Sequence, residues 1–135
     1  MKEVENNMYD NRVKVLIADD SKDFTAMLSS CISLFPDIEV VGIAQNGFQV
    51  LKLLEQEKPD VLLLDIIMPE MDGLEVLRNL NKMGGLMPHV FMLSAVSNES
   101  TAYQSVNMGA DYLLKPIDAK TIVDRIRSVM HASPE

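Results

Sequence analysis

Apolar residues are grouped along the chain in two alternating ways, which predict two kinds of secondary structure. Short unbroken apolar runs are typical of strands buried in a sheet, whereas apolar residues three or four positions apart are typical of helices packed on a core. Five short runs occur, at 13–18, 38–44, 61–68, 89–93 and 111–114. Each is followed by a segment with helical spacing. The pattern therefore predicts an α/β fold, a doubly wound parallel sheet with helices on both faces.

Polar residues at defined positions predict where the helices begin and end. The candidate N-caps are Asn46 with Gln49, Asp72 with Glu75, Ser97, and Asp118. The first two pairs have the three-residue spacing of a capping box. Glycines end two of the helices, at Gly84-Gly85 and at Gly109.

The first and fourth helices differ in how strongly apolar residues anchor them. The first is predicted over residues 22–35, because Pro36 cannot continue it. Its inner face is then Phe24, Met27, Leu28, Cys31 and Phe35. The fourth helix, which ends near residue 108, is mostly polar. Its anchors are predicted to be Ala102, Tyr103, Val106 and Met108. Few buried apolar contacts mean low local stability, so we expect this helix to change most easily.

The third apolar run contains a carboxylate that needs a compensating partner. The aliphatic residues 61–64 lead directly into Asp65, and the absence of alternation predicts a strand buried on both faces. An ionised carboxylate at the end of such a strand is costly unless it is paired or binds a metal.

Polar side chains at the ends of the other strands are the candidate partners of Asp65. Asp19 and Asp20 follow the first strand, Ser94 ends the fourth, and Lys115 follows the fifth. In a parallel sheet these strand ends meet at one edge, where α/β proteins bind ligands. We therefore expect all five side chains to form one site.

These residue types indicate phosphoryl chemistry assisted by a metal. Three clustered carboxylates repel one another and favour a hard divalent cation, and few protein ligands suit Mg²⁺ in particular. A lysine and a hydroxyl group are suitable partners for the oxygens of a phosphoryl group. Asp65 is then placed to act as a nucleophile and form an aspartyl phosphate.

Composition excludes several other classes of protein. The 135 residues fit one domain, and the net charge of −8 argues against direct nucleic-acid binding. The single cysteine, Cys31, cannot form an internal disulfide, which favours a reducing cytoplasm. No apolar stretch is long enough to span a membrane. We expect a loose tail at residues 1–11, one folded domain at 12–131, and a linker or truncation point at 132–135.

The motifs resemble those of the receiver domains of two-component response regulators over residues 13–130. The matching segments are Asp19-Asp20, Leu64-Asp65-Ile66-Ile67-Met68-Pro69 with Asp72-Gly73, Ser94-Ala95, Gly109-Ala110 and Lys115-Pro116. Within the family, residues 66–69 most resemble the receiver of the sporulation master transcription factor of spore-forming bacteria. The resemblance implies a CheY-like, flavodoxin-like (βα)5 fold with strand order 2-1-3-4-5.

The resemblance also implies a role for each residue of the acidic site. Asp65 would accept a phosphoryl group from a phosphohistidine. Asp20 and Asp65 would bind Mg²⁺ directly together with the backbone carbonyl of Ile67, and Asp19 would assist.

The remaining site residues would convert phosphorylation into a conformational change. Ser94 would move toward the phosphoryl group, Lys115 would pair with it before a cis peptide bond to Pro116, and Tyr112 would be the aromatic switch residue. We expect the face formed by the fourth helix, the fifth strand and the fifth helix to change as a result.

The resemblance implies protein partners and little catalysis beyond the domain's own phosphorylation. The donor would be a histidine kinase or a histidine phosphotransfer protein. The mouth of the site is flanked by Ser21, Lys22, Met68 and Pro69, and we expect the donor to dock there. The output would come from an effector domain or a partner protein, with homodimerisation on phosphorylation compatible with the family. A stand-alone receiver that passes phosphate to a histidine phosphotransfer partner is the alternative.

Two other functions on the same fold fit the sequence less well. A phosphatase with an aspartyl-phosphate intermediate needs an acid/base carboxylate two residues after the nucleophile, where this chain has Ile67. An FMN carrier needs a phosphate-binding loop rich in Ser, Thr and Gly after the first strand, which is absent.

The apolar residues Ile67 and Val96 cannot orient a water for attack, so we expect slow self-hydrolysis of the acyl phosphate.

Overall fold

Five strands alternate with five helices in the computed structural model, which describes residues 11–85, 87–95 and 98–130. The strands are β1 Val13–Ala18, β2 Ile38–Ala44, β3 Val61–Asp65, β4 His89–Ser94 and β5 Asp111–Leu114. The helices are α1 Lys22–Ile32, α2 Gly47–Glu57, α3 Gly73–Met83, α4 Glu99–Asn107 and α5 Ala119–Met130. Most of the predicted tail and all of the predicted C-terminal linker lie outside the described residues.

The strands form one parallel sheet in the order β2-β1-β3-β4-β5, which confirms the predicted doubly wound, flavodoxin-like fold. The register aligns the carboxyl ends of the central strands. Ala18 lies beside Leu64 and Asp65 lies beside Leu93. The residues that follow β1, β3 and β4 therefore emerge at the same edge.

Helices cover both faces of the sheet, as the apolar patterns predict. On one face, α1 and α5 pack against Val61 and Leu63, and on the other, α2 and α3 pack against Leu62 and Leu64. All five residues of β3 are buried. Asp65 therefore ends a strand that has no solvent-facing side.

Helix α1 is shorter than predicted. It ends at Ile32, and the next residues continue as a tight turn, with Leu34 N–H donating to Cys31 O at 3.2 Å and Phe35 N–H to Ile32 O at 3.0 Å. Pro36 has no N–H to donate to the carbonyl of Ile32, the bond that a continuing α-helix would need at this point. The expectation for Met27 is also wrong: its side chain is exposed, and Ile32 is buried instead.

Two predicted caps differ in how completely they form. Asp72 accepts from Glu75 N–H, and the Glu75 side chain accepts from Asp72 N–H, so this capping box is complete. Asn46 accepts from Gln49 N–H at 2.9 Å, but the Gln49 side chain accepts from Gln45 rather than from Asn46. Asn46 therefore caps its helix, but the reciprocal bond of a capping box is missing.

Helix α4 is anchored by fewer apolar contacts than predicted. Asn98 is its N-cap, accepting from Thr101 N–H at 3.1 Å, whereas the predicted cap Ser97 lies outside the described residues. Tyr103 and Val106 are 70% and 59% exposed rather than anchoring, because the small side chain of Ser105 takes the buried position. The weak attachment predicted for this helix is thus more pronounced in the structure.

Candidate functional site

The five candidate side chains lie at one edge of the sheet, as predicted from the strand ends. Asp19 and Asp20 follow β1, Asp65 ends β3, Ser94 ends β4 and Lys115 follows β5. Backbone bonds fix two of these ends, because Asp19 N–H donates to Ala44 O at 3.0 Å and Lys115 N–H donates to Ser94 O at 2.7 Å. The sheet itself therefore sets the spacing of the site.

The three carboxylates form a compact cluster. Asp19, Asp20 and Asp65 each offer one oxygen, and these oxygens lie within 4.8 Å of one another. Asp19 and Asp65 are buried, while Asp20 is exposed. Closely spaced carboxylate oxygens are suitable ligands for a hard divalent cation, so the donor set fits Mg²⁺.

Lys115 connects the two buried carboxylates. Its ammonium Nζ lies 2.5 Å from Asp19 Oδ2 and 3.4 Å from Asp65 Oδ1. The other oxygen of Asp19 accepts from Ser21 N–H at 2.9 Å. One ammonium cannot neutralise three carboxylates, so the cluster keeps a net negative charge that attracts a cation.

The electrostatic imbalance is visible at Asp65. Burial and the charges of Asp19 and Asp20 together raise the pKa of its carboxyl group to about 6, against the opposing effect of Lys115. Ionised Asp65 is therefore disfavoured in the metal-free protein. A cation bound at the cluster would favour the ionised form.

The loop after β3 packs closely against the backbone of Asp65. Ile66 N–H donates to Leu93 O at 3.1 Å, and Gly73 N–H donates to Ile66 O at 2.7 Å. A Cβ atom added at Gly73 would lie 2.3 Å from the carbonyl oxygen of Asp65. Local sequence pattern marks Gly73 only as part of a motif, since this close approach depends on tertiary contact.

The predicted donor-docking residues are only partly available at the surface. Ser21, Lys22 and Pro69 are exposed, but Met68 is 6% exposed and packs in the core beneath the loop. The prediction for Met68 is therefore wrong. Its apolar side chain packs in the core, whereas the side chain of Ile67 is 67% exposed.

The switch candidates occupy suitable positions in the fold. Ser94 is buried at the end of β4, and Tyr112 is half-buried in β5, beside Met92. The Lys115–Pro116 peptide bond is cis, as the resemblance implies.

Most of the chain matches one known protein family. Residues 15–127 match the family model described as the response regulator receiver domain. The chain belongs to the response regulator receiver domain family. Receiver domains act with histidine kinases or phosphotransfer proteins and with effector domains.

Solved receiver structures resemble this receiver over nearly its whole length. The receiver domain of the putative response regulator NarL from Mycobacterium tuberculosis is 31% identical, with a TM-score of 0.83, covering 91% of this chain and 99% of that one. A LuxR-family DNA-binding response regulator from Staphylococcus aureus is 30% identical, with a TM-score of 0.81, covering 87% and 98%. In the CheX–CheY–BeF3–Mg complex from Borrelia burgdorferi, the matching chain is 29% identical, with a TM-score of 0.77, covering 87% and 89%.

Within the described part of this receiver, no helix is both long and apolar enough to cross a membrane.

Proposed function

We propose that this receiver is a cytoplasmic phosphoacceptor that takes a phosphoryl group on Asp65 from a phosphohistidine. The placement of Asp65 within the three-carboxylate cluster and beside Lys115 carries the proposal. The receiver has no separate substrate, and its chemistry is limited to its own phosphorylation and slow dephosphorylation. The donor is a histidine kinase or a histidine phosphotransfer protein.

Asp20 and Asp65 would hold Mg²⁺ directly together with the backbone carbonyl of Ile67, and Asp19 would assist. When bound, Mg²⁺ offsets the negative charge shared by the carboxylates and the incoming phosphoryl oxygens. The compact set of carboxylate oxygens supports this assignment. The structural relative from Borrelia burgdorferi, whose described complex includes BeF3 and Mg, also supports it.

Phosphoryl transfer to Asp65 forms one bond to phosphorus and breaks one bond to the donor. A carboxylate oxygen of Asp65 attacks the phosphorus atom, the P–N bond to the donor imidazole breaks, and the imidazole keeps the bonding electron pair. Lys115 then pairs with the phosphoryl oxygens, and the Ser94 hydroxyl donates a hydrogen bond to them. Support comes from the 3.4 Å distance between Lys115 Nζ and Asp65 and from Ser94 at the end of the adjacent strand.

Phosphorylation switches the face formed by α4, β5 and α5, with Ser94 and Tyr112 as the switch residues. The added charge draws Ser94 toward Asp65 and biases the weakly anchored α4. The exposure of Tyr103 and Val106 supports this choice of element, because little apolar area holds α4 in its present position.

Hydrogen exchange should show this switch directly. We expect amide protection across residues 98–114 to change when Asp65 is fully phosphorylated, while protection in α2 stays constant. Mass spectrometry of both forms would measure it. Unchanged protection across 98–114 at full occupancy would contradict the proposed switch.

The output is sporulation-type transcription, exerted through an effector domain or a partner protein, with homodimerisation of the phosphorylated form. The likeness of residues 66–69 to the sporulation regulator supports this finer assignment, and the S. aureus relative is a DNA-binding response regulator. A stand-alone receiver that relays phosphate to a histidine phosphotransfer protein is the second candidate. Transfer of phosphate from the labelled receiver back to a histidine protein would favour the relay.

Affinity for Mg²⁺ should depend on pH because Asp65 titrates near 6. Above pH 6 Asp65 is ionised and can bind the cation; below pH 6 the proton must leave first, so affinity should fall about tenfold per pH unit. Calorimetric titration of the metal-free protein between pH 5 and 7.5 would measure this. Asp65→Asn should bind weakly and with little pH dependence. Equal affinities of the wild type at pH 5 and pH 7.5 would contradict the prediction.

Self-hydrolysis of the phosphoryl group should be slow because Ile67, two residues after Asp65, has an apolar, exposed side chain that cannot orient a water. The second apolar position, Val96, lies outside the described residues. We expect Ile67→Asn to shorten the half-life about tenfold by orienting a water, whereas Ile67→Leu should leave it unchanged. Decay of the phosphorylated mass would measure both. A wild-type half-life of seconds would overturn this prediction.

Intact mass spectrometry after incubation with Mg²⁺ and a small acyl-phosphate donor tests the proposed function. We expect one added phosphoryl group, no addition in excess chelator, and borohydride reduction of the modified residue at position 65. Modification elsewhere would overturn the proposed site. No addition from either the small donor or a phosphohistidine protein would overturn the proposed function.

A further inference from the structure

We propose that the aromatic ring of Phe24 positions the ammonium group of Lys115 beside the acidic cluster. Lys115 Nζ lies 4.4 Å from the centroid of the Phe24 ring. This separation is inside the range of about 6 Å at which a ring face attracts a cation. Phe24 would thus be a positioning residue for phosphoryl transfer, an inference that rests on the function proposed above.

The loop after β1 places both the carboxylate and the ring against the same ammonium group. Asp19 Oδ2 contacts Lys115 Nζ, while Asp19 Oδ1 accepts from Ser21 N–H at 2.9 Å. Ser21 caps α1 by accepting from Phe24 N–H at 3.2 Å. A continuous set of hydrogen bonds therefore connects the two partners of Lys115, so the ring and the carboxylate are fixed relative to each other.

A ring face suits Lys115 because the lysine must change partners during the reaction. In the present structure the ammonium is closer to Asp19 than to Asp65. To pair with a phosphoryl group on Asp65, it must lengthen its contact with Asp19. The ring attracts the cation without presenting a further formal charge, so it can hold Lys115 at the pocket while the anionic partner changes.

Packing alone does not explain an aromatic residue at this position. Phe24 is half-buried and only borders the core, whereas Leu28 and Ile32 fill the buried positions of α1. A leucine at position 24 would supply an apolar surface but no ring face. Phe24→Leu therefore separates packing from attraction to the cation.

The first test compares phosphorylation rates with a small acyl-phosphate donor in saturating Mg²⁺, which removes any effect on protein docking. We expect Phe24→Leu to react about two- to fivefold more slowly, the range expected for a partly exposed cation–ring pair. Phe24→Tyr should react like the wild type, and ring-fluorinated phenylalanines at position 24 should react more slowly with each added fluorine. Equal rates for Leu, Tyr and the fluorinated series would overturn the proposal.

A matched control uses the pair formed by Arg127 and Phe35, in which the guanidinium carbon lies 5.2 Å from the ring centroid. Phe35 lies in the turn before β2, away from the acidic cluster. Phe35→Leu should lower thermal stability without changing the phosphorylation rate. An equal loss of rate in Phe35→Leu would assign the effect to general destabilisation and overturn the specific role of Phe24.

Nuclear magnetic resonance of the metal-free protein tests the placement independently of phosphorylation. The ring should shift the ε-methylene protons of Lys115 upfield, and the shift should disappear in Phe24→Leu. The absence of this shift in the wild type would overturn the proposal. If the shift is present but the wild type accepts no phosphoryl group, the placement holds and the proposed function fails.

Discussion

Asp65→Asn should abolish phosphorylation under conditions in which the wild type gains one phosphoryl group. The amide has no carboxylate oxygen to attack phosphorus, and the other carboxylates cannot replace it. Asp19 is held by Lys115 and Ser21, and Asp20 is exposed at the rim. Intact mass at a series of donor concentrations would measure the loss, and a phosphorylated Asp65→Asn protein would contradict the assignment.

The same substitution should stabilise the metal-free fold. Burial and the neighbouring carboxylates raise the folded-state pKa of Asp65 from 3.8 to about 6, so the wild type loses stability as the pH rises between these two values and the loss is complete above pH 6. Removing that charge should raise the free energy of unfolding by about 1–3 kcal/mol at pH 7.5. The gain should shrink as the pH falls from 6 to 4, because folded Asp65 becomes protonated while the unfolded carboxyl, with its ordinary pKa of 3.8, is only about half ionised at pH 4. Urea titrations at the two pH values would measure it.

Asp60→Asn is the matched control for both effects. Asp60 is exposed just before β3, at the end of the strand opposite Asp65, where Oδ2 accepts from Lys14 N–H at 2.9 Å. An amide oxygen can keep that bond. We expect normal phosphorylation and little change in stability, so loss of phosphorylation here would indicate a nonspecific effect of removing charge.

Gly73→Ala should have the second largest effect, on the fold and on the site together. The added methyl group would lie 2.3 Å from Asp65 O and 2.9 Å from Ile66 Cα, and these backbone atoms cannot rotate away. The loop or the end of β3 must shift, which we expect to cost about 1–3 kcal/mol and to displace the Asp65 carboxylate. The free energy of unfolding from urea titration and the phosphorylation rate, measured on the same preparation, should both fall.

Gly85→Ala separates this close contact from the general cost of replacing glycine. Gly85 has a φ of +78°, but a Cβ there would meet no atom within 4 Å. We expect about 1 kcal/mol of destabilisation from the backbone conformation and no change in phosphorylation. Comparable phosphorylation rates in the Gly73 and Gly85 variants would contradict a role for the loop in placing Asp65.

Sequence reasoning predicted the site well because the site depends on strand order and strand ends. Asp19, Asp65 and Lys115 are adjacent in space because each ends or follows a parallel strand, a relation that apolar runs reveal. It failed where side-chain direction depends on tertiary packing. Met68 turns into the core although its neighbour Ile67 faces outward, and no pattern in residues 66–69 distinguishes the two.

Helices with weak patterns were predicted less accurately for a related reason. In α4, Tyr103 and Val106 have the spacing of buried residues, but both are exposed and Ser105 is the buried residue of the helix. The ring of Phe24 was assigned to the core from its helical spacing, and its contact with Lys115 became apparent only from the folded structure. The local spacing of apolar residues does not predict contacts between residues that are distant in sequence.

The ion pair between Lys115 and Asp19 joins residues 96 positions apart, from the last and the first strand. During synthesis, all three carboxylates leave the ribosome long before the lysine is made. In a nascent chain that lacks β5, the three carboxylates can therefore come together only without Lys115 as their counterion. Within this domain, the acidic cluster therefore gains its internal counterion only after β5 has been synthesised.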